Sequence, residues 1–214
     1  MKIWICAYRE WARSIYSLIQ DDYDCELITS RKSFMDCTHR FSLGDKIFFL
    51  GWSWMVPEEI IETYECICLH PSPLPRYRGG SPLQHQIING ETTSAVTYFK
   101  MTSRLDSGHI LFQQEISLRG SLKDILRRLA AVGTAGLVRI LVEEPPPQPQ
   151  DESRATFFKR RHPAESEIEI IDFSRLTSRQ LSDKIRALQD PYPNAYVVCG
   201  DGKKLFIKEA FCEE

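Results

Sequence analysis

The sequence predicts an α/β protein: an open parallel sheet followed by a small α+β region that ends in a β-hairpin. Short apolar, β-branched runs alternate with segments whose apolar residues recur at helical spacing. One run, KIFFLGWSW, is apolar almost throughout, as strands covered on both faces are. Past a proline-rich stretch, a last helical segment precedes two alternating runs that meet at Asp201-Gly202, a hairpin signature.

KIWICAY is the first strand, and REWARSIYSLIQDD follows with Trp11, Ile15, Leu18 and Ile19 at helical spacing. DCELITS is the second strand and KIFFLGWSW the third. After Pro57, PEEIIETY is a short helix with proline in its first turn, and ECICLH is the fourth strand. Strand and helix in alternation make right-handed βαβ units, hence a Rossmann-like domain. SPLQHQIING reads as a helix stopped by Gly90. SAVTYFKM and GHILFQQEISL flank TSRLDS and are expected to pair antiparallel. SLKDILRRLAAVGTAGLVRILVEE is the longest helix, with Ser121 as its N-cap. PPPQPQDESR is polar and proline-rich and marks a boundary, dividing the chain into 1–150 and 151–214. The second part holds a helix near TSRQLSDKIRALQ and the hairpin AYVVCGDGKKLFIKEAF.

The formal net charge of the 214 residues is -2, so no global electrostatic case exists for nucleic acid or a membrane surface. Any anion site must be local. Seven cysteines, an odd number with no Cys-x-x-Cys pair, fit free thiols in a reducing compartment. The opening MKIWICAYREW carries charges too early for a signal peptide, and no run approaches the roughly 20 apolar residues of a membrane span. The expected location is the cytoplasm.

The chemistry is concentrated in LHPSPLPRYRGG and RLDSG. Ligands of open α/β sheets bind beyond the carboxyl ends of the strands. His70 stands at such an end, as does Gly51–Trp54, and Asp106 follows in a loop. A histidine beside a carboxylate makes a general base held by its acid partner. PRYRGG adds two guanidiniums suited to a pyrophosphate. Taken singly, each feature also has a structural reading: a satisfied strand-end histidine, a solvated turn, an Asp capping its own loop.

Together, LHPSPLPRYRGGSPLQHQIINGE, VTYFKM and RLDSGHIL resemble the folate-dependent formyltransferase family, over about residues 1 to 140. YREWA, IRALQDPYPNAY and the final hairpin look most like the sugar N-formyltransferases of that family. The chain is too short for the C-terminal barrel that methionyl-tRNA formyltransferases carry. The resemblance implies formyl transfer from 10-formyltetrahydrofolate to the amine of a nucleotide-linked amino deoxysugar, dTDP-linked by preference, without a metal. It makes His70 the base and Asp106 the residue that orients and charge-stabilises it. Gly51, Trp52, Ser53, Trp54 and Met55, with Asp106, would hold the folate. Arg9, Arg76, Tyr77, Arg78 and Gly79 would meet the sugar nucleotide. The resemblance also implies a homodimer built through the hairpin.

One position departs from the family. Two residues before the histidine, where the family has Asn, stands Cys68, and no register shift helps, because the only Asn residues are Asn89 and Asn194. A thiol is a weak donor to a developing oxyanion. A substitute donor, a slow or silent binding relative, or a substituted residue would each account for it. Cys66, Cys68 and His70 share one strand face, which opens a metal site or a Cys68/His70/Asp106 hydrolase as alternatives. Plain burial of two small apolar cysteines is the simplest account.

Overall fold

The computed structural model of the protein describes residues 1–213. In chain order the elements are β1 (Ile3–Cys6), α1 (Glu10–Ile19), β2 (Cys25–Ile28), α2 (Arg31–Cys37), β3 (Lys46–Leu50), α3 (Glu58–Thr63) and β4 (Glu65–His70). Next come β5 (Arg78–Gly79), α4 (Pro82–Ile88), β6 (Thr93–Lys100), β7 (Ile110–Ser117) and α5 (Leu122–Glu143). The chain closes with β8 (Phe157–Phe158), α6 (Asp172–Arg175), α7 (Ser178–Ala187), β9 (Ala195–Val198) and β10 (Lys204–Ile207).

Six strands form the central sheet in the order β2-β1-β3-β4-β6-β7. The first four are parallel, and β6 and β7 continue the sheet antiparallel. The α/β expectation holds, including the antiparallel pair and the closing hairpin of β9 and β10. The third strand is shorter than its apolar run: it stops at Leu50, and Gly51–Trp54 leave it as a loop. α2 has no counterpart among the sequence-derived elements. Its start is set by a capping box between Ser30 and Ser33, and its apolar content is only Phe34, Met35 and Cys37.

Side chains alternate between two cores. Ile5, Phe48, Leu50, Ile67, Leu69, Val96 and Tyr98 face α1 and α5. Trp4, Cys6, Ile47, Phe49 and Cys66 face Phe34 and Cys37 of α2 and the partly buried Ile60 and Ile61 of α3. Ser121 caps α5 as expected, in a capping box with Asp124.

After α5 the proline-rich stretch returns to the sheet. Gln148 and Ile110 exchange both backbone hydrogen bonds at 2.8 Å, and β8 pairs in parallel with β5. No helix among the described residues is long and apolar enough to cross a membrane.

Asp45, just before β3, ties that strand to β1. Its buried carboxylate accepts from the Lys2 amide at 2.9 Å, from Trp4 Nε1 at 3.0 Å and from the Ser42 amide at 3.1 Å. Burial opposes its charge, but these donors outweigh burial and hold its pKa below the usual carboxylate value. Asp45→Asn is therefore expected to cost about 1–3 kcal/mol at neutral pH in urea denaturation. Because the folded pKa is depressed, the contribution is present above the unfolded value of ~3.9 and is lost as pH falls through the folded one. The gap between variant and wild type should close on acidification below about pH 4.

Candidate active site

The chain runs from β1 to β2 on one side and then crosses to β3 on the other, so the sheet order reverses beside β1. The carboxyl ends of β1 and β3 flank that switch point, where open α/β sheets leave a ligand crevice. Tyr8 follows β1, and Gly51–Trp54 follow β3. Tyr8 Oη and Ser53 Oγ lie 2.6 Å apart and link the two loops. The Tyr8 ring lies 4.7 Å from Trp54, which lies 4.7 Å from Trp52, so an aromatic wall lines this end of the sheet. Gly51 has φ +59°, and a Cβ there would stand 2.7 Å from Trp11 Cζ2, so only glycine makes this exit from β3 without strain. Met55 is exposed. The Arg9 guanidinium lies over the rings of Tyr8 and Tyr192, 5.1 and 5.2 Å from their centroids, which brings the C-terminal region to the first loop.

His70 ends β4, buried, and pairs across the sheet with Thr97. The turn beyond it is fastened to the sheet: Thr97 Oγ1 donates to Ser72 O at 2.6 Å, and Gln113 Nε2 donates to Leu74 O at 3.0 Å. Tyr77 takes φ +62°, its amide donates to Thr156 Oγ1 at 2.8 Å, and its ring stacks on Phe158. This bent backbone delivers the Tyr77 carbonyl to His70 Nε2 at 2.8 Å. A carbonyl only accepts, so Nε2 carries the proton and Nδ1 of the neutral ring keeps its lone pair.

Asp106 Oδ2 stands 3.7 Å from that Nδ1 and accepts from the Gly79 amide at 2.7 Å. The separation is too long for a hydrogen bond, so Asp106 acts on His70 through its charge, while the Tyr77 carbonyl sets the ring's orientation. Asp106 has φ +48°, a conformation Asp tolerates better than most residues. Gly108 lets its loop cross β6, because a Cβ there would fall 1.6 Å from Lys100 O.

The basic turn differs from the expectation of free anion-binding guanidiniums. Arg78 is fully buried, and Gln150 and Glu152 hold its guanidinium, with Nη2 2.7 Å from an oxygen of each. Arg78 is thus closed off from solvent, and its guanidinium braces the turn. Arg76 is half-exposed and paired with Glu91, which also accepts from Tyr77 Oη at 2.9 Å. The Gly79 amide is taken by Asp106. Sequence reasoning passed over Tyr8, Thr97, Gln113, Gln150 and Glu152. Tyr8 alone carried a signal, as an aromatic at the end of the first strand.

Cys68 is half-buried and packs against the α2–α3 core. Burial pushes its thiol well above the ordinary value, and the charge of Asp106 and the neighbouring Cys66 add to the rise. The Cys66 thiol is pushed up to about 12, again by burial. A protonated thiol is a poor nucleophile, so this environment disfavours the thiolate that a Cys68 hydrolase needs. No group of three or more His, Cys, Asp or Glu side chains among the described residues is placed to hold a metal ion.

Residues 35–141 match the formyl transferase family (Formyl transferase). The chain is 33% identical over 173 residues, 78% of its length, to the methionyl-tRNA formyltransferase of Rickettsia typhi, of which it covers 55%. It thus spans about half the length of the curated relatives it matches. Among solved structures it is similar to a methionyl-tRNA formyltransferase from Clostridium thermocellum, with TM-score 0.80, 28% identity and 97% of each chain covered. A 4-N formyltransferase from Francisella tularensis shares the fold at TM-score 0.76 and 20% identity, covering 100% of this chain and 98% of that one.

The thiol environments predict an order of modification. With iodoacetamide at about pH 7.5, the exposed Cys199 should react first, and Cys66 and Cys68 only after unfolding, as read by peptide mass spectrometry. Rapid labelling of Cys68 in the native protein would reinstate a nucleophilic thiol.

Proposed function

This chain belongs to the formyl transferase family, and we propose that it transfers a formyl group from 10-formyltetrahydrofolate to the amine of a nucleotide-linked amino deoxysugar. The observation that carries the reading is His70: buried at a strand end, Nε2 occupied by the Tyr77 carbonyl, Nδ1 unprotonated and facing Asp106 at 3.7 Å.

The loop after β3 fits the donor. Gly51 bends sharply there, and Trp52, Trp54 and Tyr8 offer an apolar wall to a flat ring while the loop backbone stays available to its polar edge. When bound, 10-formyltetrahydrofolate supplies the activated formyl group. His70 Nδ1 takes the proton that the acceptor amine releases as its nitrogen bonds the formyl carbon, and that proton passes to N10 as the carbon–N10 bond breaks and tetrahydrofolate departs. Asp106 attracts the imidazolium and not the neutral ring, so its stabilisation appears only as the proton moves. Cys68 stands where the family resemblance expects the oxyanion donor, and its thiol donates instead to Leu69 O at 3.7 Å. Arg9 of the first loop and the half-exposed Arg76, which is paired with Glu91, are the guanidiniums that would meet the sugar nucleotide.

The division into a catalytic domain (1–150) and a C-terminal region (151–214) belongs to the same proposal, as do a dTDP-linked acceptor and a cytoplasmic setting, which all seven free thiols suit. So does a homodimer through the hairpin, where Leu205 and Phe206 are more than half exposed.

A second acceptor, methionyl-tRNA, is favoured by the identity to the Rickettsia protein. Against it stands the net charge of -2, since binding a polyanion draws on many Lys and Arg contacts. Steady-state assays with 10-formyltetrahydrofolate and each acceptor decide between them. Transfer to charged tRNA alone would replace the sugar reading. Release of tetrahydrofolate with neither acceptor would remove both.

With the active acceptor, His70→Ala should lower kcat by about 10²–10⁴-fold. Asp106→Asn should lower it by about tenfold to a thousandfold, corresponding to about 1–4 kcal/mol for a charge near 4 Å. An unchanged rate in Asp106→Asn would remove Asp106 from the mechanism. Cys68→Asn adds an amide donor and should raise turnover by up to about 10²-fold. A slower Asn variant beside a fast wild type would show that another group already holds the oxygen.

A further inference from the structure

Gln150 lies inside the stretch that composition marks as a boundary, yet it joins the two halves of the proposed site. Its Nε2 donates to Asp106 O at 2.9 Å and to Gly108 O at 2.7 Å. Its Oε1 accepts from Arg78 Nη2 at 2.7 Å and from Arg78 Nε at 3.2 Å. Both amide hydrogens and both oxygen lone pairs are used, the full capacity of the side chain. One end thus grips the loop that carries Asp106, and the other grips the residue before Gly79, whose amide binds the Asp106 carboxylate.

The loop needs such a hold. Asp106 sits at φ +48°, a sparsely populated conformation that persists only where its surroundings enforce it. The loop's local bonds converge on one carbonyl, Arg104 O, which accepts from Ser107 N at 3.4 Å, Thr102 Oγ1 at 3.1 Å and Ser107 Oγ at 3.0 Å, and none of these three bonds holds Asp106 itself. Gln150 supplies two shorter bonds, one on each side of Ser107. Arg78 is in turn fixed by Glu152, so the clamp rests on a buried charge and not on a mobile side chain.

We propose that Gln150 is a positioning residue for formyl transfer: it holds Asp106 at its distance from His70 by bridging the Asp106–Gly108 loop to the Arg78–Gly79 strand. The proposal rests on the function argued above. Gln150 touches no reacting atom and acts through Asp106. Glutamate at this position would set a carboxylate against two carbonyls. A methionine keeps the volume and loses every bond.

The test uses Gln150→Met, with Gln150→Ala in reserve should the first fail to fold. Expected is a kcat reduced by about tenfold to a hundredfold, the scale of an orienting group displaced by about 1 Å, with KM for both substrates changed less than about threefold. Adding Gln150→Met to Asp106→Asn should cost nothing further, because the two act in series. A merely structural role would lower the melting temperature and leave kcat per folded molecule intact, or would multiply with Asp106→Asn, and either result overturns the proposal.

A second readout needs no activity. The Gly79 amide, bonded to Asp106 Oδ2, should exchange faster with deuterium and shift its proton resonance upfield in Gln150→Met, while the amides of β1 and β3 stay protected. If the wild type transfers no formyl, this measurement still decides. An unaltered Gly79 amide would show that Asp106 holds its place without Gln150.

Discussion

The Tyr77 carbonyl on His70 Nε2 is the contact around which the site is organised. Without it, a neutral imidazole divides between two tautomers, and the one protonated on Nδ1 has no lone pair toward Asp106. To bring a main-chain oxygen 2.8 Å from the ring, the chain must double back within seven residues of the histidine. That explains the composition of the turn. Prolines narrow its conformations, Tyr77 takes a positive φ, and Ser72, Thr97, Gln113 and Thr156 consume backbone groups that the bend leaves without a ladder. The rigid basic stretch after the histidine is a device for tautomer control.

This arrangement changes the expected division of labour between the two partners of His70. Orientation comes from the carbonyl, a fixed dipole on the rigid turn. Charge comes from Asp106, whose carboxylate is too distant to bond. The separation has a consequence for catalysis. A hydrogen-bonded carboxylate would stabilise the resting ring as well as the protonated one, whereas a carboxylate facing a bare lone pair stabilises only the protonated state. In the proposed reaction the second arrangement would lower the barrier and leave the ground state alone. It also places the whole burden on distance, which is why the loop bearing Asp106 has to be held.

The parts of the fold set by local pattern were legible in the sequence. The apolar runs of β1 and β4, the start of β3, the Ser121 cap of α5 and the Asp201-Gly202 hairpin depend on near neighbours, and each appears where the pattern puts it. α2 escaped because a seven-residue helix with three apolar positions offers too short a period, and its two-serine capping box is a weak signature. His70 and Asp106 were legible as residue types, and their approach was expected. The roles of Arg78 and Gln150 were not legible, because they arise from contacts 72 residues apart in sequence. An arginine in a basic turn looks like an anion ligand until a carboxylate and an amide from a distant segment take its donors.

Cys68 fits the same logic. In this face of β4 the residues alternate as Cys66, Cys68 and His70, and the first two border an aromatic core built from Phe34, Phe41, Phe49 and Trp52. There a thiol is a small apolar group whose pKa burial has raised, so its proton stays in place at neutral pH. An amide at this position would need partners for two N–H groups and a carbonyl, a demand the thiol does not make. Cysteine therefore favours packing where asparagine would favour chemistry. In the proposed reaction the cost falls on the oxyanion, whose charge would then be met by other donors or by a slower reaction. His70 becomes the only strong hydrogen-bonding side chain on that strand face, which raises the demand on its tautomer, on the distance to Asp106, and on the residues that hold both.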